Sequence, residues 1–443
     1  MPPEPFPRST LQETSPSQNA ARDLADWLAE RLSSPDQVDR STGLGGGSDS
    51  VHLKWSPASL ARGYPGIALL FINRAHRDRN SMAIAHQYLA RSVDALQRKR
   101  PADFGLLDDL CGLAFALEMA HRLTGGYKNA LKTLDREISS RAKAMRDWIR
   151  TEQTGEVWRY DAISGLAGVG RYMLLRQDQF AGDLQGVLDC LVWMSEDLES
   201  PRPRFWSPSP PAYSTSDPAL LTGGHLNLGM AHGIAGPLSL LALAFAAGHE
   251  VPGQRDAAER IVGVYSAMVL RDKYGQFWPR YLSHEQWASG IAEDTRSHAS
   301  WCYGIPGTAR SLQIAASSFE REDWNNIARG PIAGLIASPV SSWQLVESGL
   351  CHGWAGALHL IGLTAQGDSM SDAGLLQEEI AQMIFDTFQE QLPFGFRAEV
   401  TNHHEGADYP GLLEGAAGIA MALESYANPA HSEVPWDAAL LVR

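Results

Sequence analysis

A short Gly-x-x-Gly element recurs along the whole chain, and this repeat constrains the fold more than any other feature. The opening glycine is present in six of seven copies, and Asp109 replaces it in the second. Successive copies are roughly 45 to 70 residues apart, which leaves room for two helices and two loops in each unit. The closing glycines are Gly66, Gly112, Gly168, Gly236, Gly307, Gly356 and Gly418.

Each unit predicts an amphipathic helix in its first half and an apolar helix in its second half, which begins at the glycines. The segment 235–246 is an apolar run of helical length, interrupted only by Ser239. Ahead of the next copy, Ala258, Ile261, Val262 and Tyr265 share one helical face. The repeat therefore predicts an all-α fold, an α,α-toroid with about seven inner and seven outer helices. An open helical solenoid is the alternative, but solenoid repeats are usually shorter and more uniform.

The domain organisation follows from the extent of the repeat. With 44% hydrophobic residues among 443, the chain can bury a large core. We predict a single toroid domain over residues 18–443, preceded by a Pro/Ser-rich disordered segment at 1–17. Irregular inserts near 200–224 and 274–298 interrupt the repeat, and they could form walls over the open end of the ring.

Charge and hydropathy exclude several classes of function. A formal net charge of −14 argues against a general affinity for nucleic acid, although a peptide with local positive charge stays possible. No apolar stretch is long enough for a membrane span, so direct membrane insertion is not expected. The N-terminus lacks the apolar core of a signal peptide. With only four cysteines, the chain is predicted to be cytoplasmic, where thiols stay free or bind metals.

The register of the repeat brings reactive residues to one height around the ring. Four residues before each closing glycine stands a polar or ionisable residue, and equivalent positions of a toroid lie side by side near one mouth. These residues are Arg62, Asp108, Ser164, His232, Tyr303, His352 and Glu414. One position earlier, Cys302 and Cys351 occupy the same place in adjacent copies.

Two sulfurs and one imidazole, from Cys302, Cys351 and His352, predict a site for one zinc ion. Three protein ligands leave one coordination position open, which is typical of a catalytic site. Such a site can bind an incoming thiol and hold it as the nucleophilic thiolate. His232, in the register of His352, could exchange the thiol proton near neutral pH. Asp161 could orient a histidine or transfer a proton, or it could simply cap a helix or loop.

Taken in order, these motifs resemble the lanthionine synthetase C family, the cyclases of class I lanthipeptide biosynthesis. The resemblance covers nearly the whole chain from Gly63 onward. It implies an α,α-toroid with zinc at its centre, bound by the two cysteines and His352, and acid/base roles for Asp161 and His232. The segments that carry it are Tyr160–Gly168, Asn227–Gly236, Trp301–Gly304, Cys351–Gly353 and Leu412–Gly418.

The resemblance also implies a substrate and partners. The substrate would be a precursor peptide with a leader, whose Ser and Thr residues have already been dehydrated. A substrate cysteine would add through sulfur to the β-carbon of dehydroalanine or dehydrobutyrine, and protonation of the α-carbon would close a thioether ring. A separate dehydratase is implied, and a transporter is a further partner of such a pathway.

One position departs from the family pattern. Many members carry an arginine four residues before the first zinc cysteine, where this chain has His298, with Arg296 two residues earlier. Either residue could supply the missing group that stabilises the enolate. Homologues that add glutathione to modified proteins, and a non-catalytic peptide-binding scaffold, stay as alternatives. Prenyltransferase β subunits also activate a thiol on zinc, but their ligands include a carboxylate, whereas this chain offers Cys351 and His352 in succession.

Overall fold

The structure is a computed structural model that describes residues 15–42, 55–98, 103–152, 155–211, 221–365, 373–400, 403–429 and 434–443. Within these ranges it contains sixteen α-helices and seven short strands, numbered here in chain order. Most of the predicted disordered segment, residues 1–14, lies outside the described residues. Pro16 and Ser17 already belong to the first helix, where Ser15 and Gln18 form a capping box.

Seven apolar helices form the inner ring, as the repeat predicts. Each packs against the next, and the last packs against the first, so the ring is closed rather than an open solenoid. In the first of them, every residue from Tyr64 to Asn73 is buried. The inner helices are α3 (Tyr64–Arg74), α5 (Leu110–Thr124), α7 (Leu166–Leu175), α9 (Ala235–Ala246), α12 (Ile305–Ser318), α14 (Trp354–Ala365) and α16 (Ala416–Ala427).

Seven amphipathic helices surround the inner ring. These outer helices are α1 (Pro16–Arg31), α4 (Asn80–Arg98), α6 (Lys128–Thr151), α8 (Gln177–Ser195), α10 (Gln254–Ala267), α13 (Glu322–Ala337) and α15 (Ala373–Thr387). The closest hairpins pair each inner helix with the outer helix that follows it, and α1 packs against α16. The structural unit thus begins with the inner helix, whereas the sequence suggested the outer one. Two shorter helices, α2 (Pro35–Ser41) and α11 (His284–Ser289), lie in connections.

Backbone hydrogen bonds join the loops that lead into the inner helices. The N–H of Cys302 donates to the carbonyl of Cys351 (3.2 Å), Cys351 donates to Leu413 (3.0 Å), and Leu413 donates to Ala61 (3.1 Å). The circle continues as Ala61 donates to Leu107 and Leu107 donates to Ile163. Ala162, next to Ile163, then donates to Ala231, and Ala231 donates to Cys302, which closes the circle. The residues five before each closing glycine therefore lie side by side around one mouth, as their register predicts.

The closing glycines allow each inner helix to sit directly on the loop before it. A Cβ atom added at Gly307 would lie 1.9 Å from the carbonyl oxygen of Trp301. In six copies the carbonyl six residues earlier would lie at 1.9 to 2.9 Å, and at Gly236 it would lie at 3.2 Å. In those six copies glycine is required by close backbone approach, for which only a residue without a side chain has room.

The two inserts combine into one antiparallel sheet beside the mouth. Its strands are β1 (Trp206–Ser207), β2 (His225–Asn227) and β5 (Tyr281–Ser283), in the order β1-β2-β5. The Tyr281 ring lies 5.3 Å from that of Tyr303, so the sheet reaches the polar ring of the repeat. Residues 212–220 of the first insert lie outside the described residues. Two hairpins complete the strands: β3 (Leu270–Asp272) with β4 (Gly275–Phe277), and β6 (Ala398–Val400) with β7 (His403–Ala407).

The segment 434–443 lies inside the ring. Its 3-10 helix, Trp436–Leu440, is buried throughout. Arg171 on α7 donates to the carbonyl of Arg443 (2.9 Å), and Arg310 on α12 donates to that of Val442 (2.7 Å). Because helices from different parts of the ring hold it, this segment fills the bore beneath the mouth. None of the helices in the described ranges is long and apolar enough to cross a membrane.

Candidate active site

The two cysteines and the histidine predicted as metal ligands come together at the mouth. Their ligand atoms, the sulfurs of Cys302 and Cys351 and a ring nitrogen of His352, all lie within 4.8 Å of one another. Among the residues that the structure describes, no other group of His, Cys, Asp and Glu side chains meets this criterion. The hydrogen bond from Cys302 N–H to the Cys351 carbonyl fixes the two loops in register, so the fold itself places the sulfurs together.

The chemistry of this donor set fits a soft divalent cation. A hydrogen bond with Cys351 lowers the pKa of the Cys302 thiol well below its usual range. Burial acts in the opposite direction, but contact with His352 lowers the pKa further. Burial opposes a charged His352, but Cys302 and Glu347 outweigh it and raise its pKa to about 11. The site thus stabilises positive charge beside a thiolate, and two sulfurs with one imidazole suit zinc. Glu347 does not belong to the group of mutually close donors, so within the described residues three side chains would hold the ion.

His232 and Asp161 form a second functional pair at the same mouth. Nδ1 of His232 lies 2.6 Å from Oδ2 of Asp161. Asp161 is fully buried, and its Oδ1 accepts the backbone N–H groups of Ile163 (3.1 Å), Ser164 (2.7 Å) and Gly165 (2.8 Å). Asp161 therefore caps the turn before α7 and also orients His232. The sequence had left these two roles as alternatives, and the side chain has both contacts.

The environment of His232 favours its charged form while leaving the ring accessible. Its side chain is 37% exposed. Burial lowers its pKa, but the bond to Asp161 and the negative charges of Asp161 and Cys302 outweigh this, and the net shift is upward. Since Nδ1 is held by Asp161, Nε2 is the nitrogen that can exchange a proton with a ligand in the mouth.

Backbone hydrogen bonds and a ring contact link the loop of His232 to the loop of Cys302. The N–H groups of Met230 and Ala231, directly before His232, donate to the carbonyl of Cys302 at 2.8 and 3.2 Å. The His232 ring lies 6.4 Å from that of Tyr303, the residue after Cys302. The loop that carries His232 is therefore bonded directly to the loop that carries Cys302.

The structure distinguishes the two residues that could replace the arginine of the family pattern. The half-buried His298 ring lies 6.4 Å from the His352 ring, and burial lowers the pKa of His298. Arg296 instead donates to both carboxylate oxygens of Asp272, at 2.8 and 2.7 Å, and its guanidinium lies over the Phe277 ring. His298 is therefore brought to the metal donors, whereas Arg296 is bound to the β3–β4 hairpin.

Three residues at the site were not found from the sequence. Glu347 is 3% exposed, and its Oε1 lies 2.6 Å from Nε2 of His352. Asn227 donates to the Tyr303 hydroxyl (3.2 Å), and Arg280 is buried against Asp294. Asn227 and Glu347 share one register position, nine residues before Gly236 and Gly356, and His298 holds it before Gly307; Arg280 does not. This shared position was the available signal for Asn227 and Glu347, whereas no repeat position pointed to Arg280.

Comparison with known proteins places this arrangement in a family. The family model described as "Lanthionine synthetase C-like protein" matches residues 54–441. The Nisin biosynthesis protein NisC of Lactococcus lactis subsp. lactis is 23% identical over 378 residues, which cover 83% of this chain and 85% of NisC. The solved structure of nisin cyclase has a similar fold, with a TM-score of 0.77 at 20% identity over 96% of this chain and 98% of that one. The chain, whose motifs already resembled this group, therefore belongs to the lanthionine synthetase C-like family.

Proposed function

We propose that the protein is a zinc-dependent cyclase that forms lanthionine and methyllanthionine rings in a dehydrated precursor peptide. The observation that carries this proposal is the convergence of Cys302, Cys351 and His352 within 4.8 Å at the mouth that also holds His232 and Asp161. Nisin biosynthesis protein NisC and nisin cyclase, to which the chain is similar, support the same reaction.

The reaction adds a thiol S–H across a carbon–carbon double bond. Sulfur bonds to the β-carbon of dehydroalanine or dehydrobutyrine, and a proton is delivered to the α-carbon, so no atom leaves. Zinc held by the two cysteines and His352 would lower the pKa of the substrate thiol and keep it as a thiolate. The protein must therefore move one proton, from the thiol to the α-carbon.

His232 is the residue best placed to move this proton. Asp161, locked by three backbone N–H groups, holds Nδ1 and leaves Nε2 facing the mouth. The raised pKa of His232 keeps a proton available near neutral pH for delivery to the α-carbon. His298, which its lowered pKa keeps neutral, can donate an N–H to the enolate oxygen that develops during the addition.

The proposal extends to partners and location. Because the acceptor alkene must exist before the thiol adds, a separate dehydratase has to act first on the Ser and Thr residues of the leader-bearing precursor. We place the reaction in the cytoplasm, before a transporter exports the product.

The test uses the purified chain with a dehydrated precursor peptide. Ring closure by addition removes free cysteine thiols without changing the mass of the peptide, so alkylation and mass spectrometry together report it. We expect about one zinc per chain and enzyme-dependent thiol loss at constant mass. The Cys351→Ala variant serves as the control and should lose both properties.

The same assay separates the alternatives. Addition of glutathione would raise the mass of the peptide by one glutathione per site. A scaffold would bind the peptide without accelerating thiol loss over the uncatalysed rate. A metal-free chain that closes rings at the full rate would refute the proposed function.

A further inference from the structure

A buried carboxylate lies next to the histidine of the metal donors. Glu347 is 3% exposed, and its Oε1 lies 2.6 Å from Nε2 of His352. Both residues belong to the loop that leads into α14. The N–H of Trp354 donates to the Glu347 carbonyl (3.0 Å), which folds this loop back on itself. A Cβ at Gly353 would lie 2.6 Å from the same carbonyl, so the folded loop has little freedom to move.

This contact determines which imidazole nitrogen is available. An imidazole has two ring nitrogens, and Nε2 of His352 is directed at Glu347. Nδ1 is then the nitrogen left to face the sulfurs of Cys302 and Cys351. Histidine ligands of metals commonly donate their other N–H to a carboxylate, which fixes the tautomer and the ring orientation.

Glu347 is not itself a metal donor. It is absent from the group of side chains whose ligand atoms lie within 4.8 Å of one another. It contacts Nε2 of His352, so its carboxylate would act on the metal only through the histidine. Its negative charge also favours a proton on Nε2, and this leaves Nδ1 with a free lone pair.

We propose that Glu347 is a positioning residue that receives the Nε2–H of His352 and thereby fixes Nδ1 as the metal ligand. The role rests on the metal centre of the proposed function, but it concerns metal binding rather than ring formation. Loss of the carboxylate should leave the cysteines in place and let the imidazole rotate or take the other tautomer.

A matched control lies on the neighbouring repeat. The carboxylate of Glu414 is close enough for its charge to act on the Cys351 thiol. Its two oxygens, however, are bound by Arg62 at 3.0 and 2.8 Å. Glu414→Gln therefore removes the same charge near the same cluster without touching a ligand.

The experiment measures the affinity of the full chain for Zn²⁺ alone, by competition with a chromogenic chelator. We expect Glu347→Gln to weaken binding by about 10- to 100-fold, the usual effect of losing a carboxylate partner of a ligand histidine. The Zn²⁺ affinity of Glu414→Gln should stay within about threefold of that of the unmodified chain, because an exposed or separately paired charge acts weakly at a distance. In the Co²⁺-substituted protein, Glu347→Gln should keep the sulfur-to-metal charge-transfer bands but shift the ligand-field bands.

Two results would overturn the proposal: unchanged Zn²⁺ affinity and Co²⁺ spectrum in Glu347→Gln, or an equal loss of affinity in Glu414→Gln. If circular dichroism shows that Glu347→Gln does not fold, Glu347→Asp is judged by the same spectrum, with a smaller loss of affinity expected. These readouts are independent of activity. A chain with Glu347-dependent zinc binding that closes no rings would refute the proposed function and leave the role of Glu347 intact.

Discussion

At the scale of single residues, Asp161 shows how a cap becomes part of a functional site. One carboxylate oxygen satisfies three backbone N–H groups before α7, so the side chain cannot turn away without leaving three donors without their acceptor. The other oxygen is then fixed in space and holds His232 at 2.6 Å. A local structural requirement thus sets the direction and the charge of the residue proposed to carry the proton.

Replacing Asp161 by Asn should separate these two roles. The variant keeps the size of the side chain but removes the charge that raises the pKa of His232, while burial continues to lower it. Because the protonated form then disappears at a lower pH, the fall in the rate of ring formation with rising pH should move to lower pH. At neutral pH the rate should drop by about 10²- to 10⁴-fold.

The measurement is thiol loss from the dehydrated peptide as a function of pH, with the zinc content determined in parallel. His232→Ala is the companion variant, in which this pH dependence should vanish while zinc stays bound. An Asp161→Asn enzyme with the pH profile of the unmodified chain would contradict the proton-transfer role.

The sequence predicted those site residues that the repeat places in register. Cys302 and Cys351 share one repeat position, and His352 follows directly, so periodicity alone brings the three together. Glu347 shares a register position with His298 and Asn227, nine residues before the closing glycine, but its contact with Nε2 of His352 depends on how one loop folds back. That position also favours His298 over Arg296, whose bond to Asp272 in a distant hairpin no local pattern specifies.

At the scale of elements, the closing glycines make a quantitative comparison possible. A methyl group at Gly307 would lie 1.9 Å from the Trp301 carbonyl, whereas one at Gly236 would lie 3.2 Å from that of Met230. Gly307→Ala must push away the loop that carries Cys302, and we expect a loss of about 1 to 3 kcal/mol in the free energy of unfolding. Gly236→Ala should be near neutral, since the helix preference of alanine, about 1 kcal/mol, offsets the mild crowding.

Urea unfolding of the two variants checks this expectation, and Zn²⁺ affinity provides a second readout. Only Gly307→Ala should weaken metal binding, because only its loop carries a ligand. Equal stability of the two variants would show that the loop yields easily and that the repeated glycine has another cause.

Other elements could not be predicted from local pattern. The sheet of the two inserts uses strands of two or three residues, which are too short to show alternation. Its pairing joins Trp206 with Leu226 and Leu226 with Leu282, contacts that no local signal specifies. The packing of α1 against α16 is likewise a consequence of ring closure, since the first inner helix that the structure describes, α3, follows α1 in the chain.

At the scale of the whole molecule, closure holds the site together. The circle of backbone hydrogen bonds passes through both cysteines, and the ion pair of Arg62 with Glu414 (2.8 Å) joins the first repeat to the last. The metal donors come from adjacent repeats, so their spacing is set by the curvature of the ring. Beneath them, Trp301 donates to the carbonyl of Leu440 (3.0 Å) and links the loop of Cys302 to the segment in the bore.

Asp437 is the residue on which we expect this central segment to depend most. It is fully buried, 2.9 Å from Nε2 of His359 on α14 and 2.9 Å from Nε of Arg443. Burial alone would raise its pKa, but the bond and charge of His359 and the charge of Arg443 outweigh this and lower it. Asp437→Ala should destabilise the fold by about 3 to 5 kcal/mol, because it leaves the buried His359 side chain without its partner and the buried Arg171 without a nearby negative charge.

The dependence on pH follows from the lowered pKa of Asp437. Its contribution is fully present above the unfolded-state pKa of an aspartate and is lost as the pH falls through the lower folded-state value. Urea unfolding at neutral and acidic pH should therefore show a large difference between the variant and the unmodified chain that narrows in acid. Asp323→Ala, which removes the exposed partner of Arg321, should leave stability unchanged at both pH values. If Asp437→Ala left the free energy of unfolding unchanged, the segment would be held in the bore by apolar packing alone.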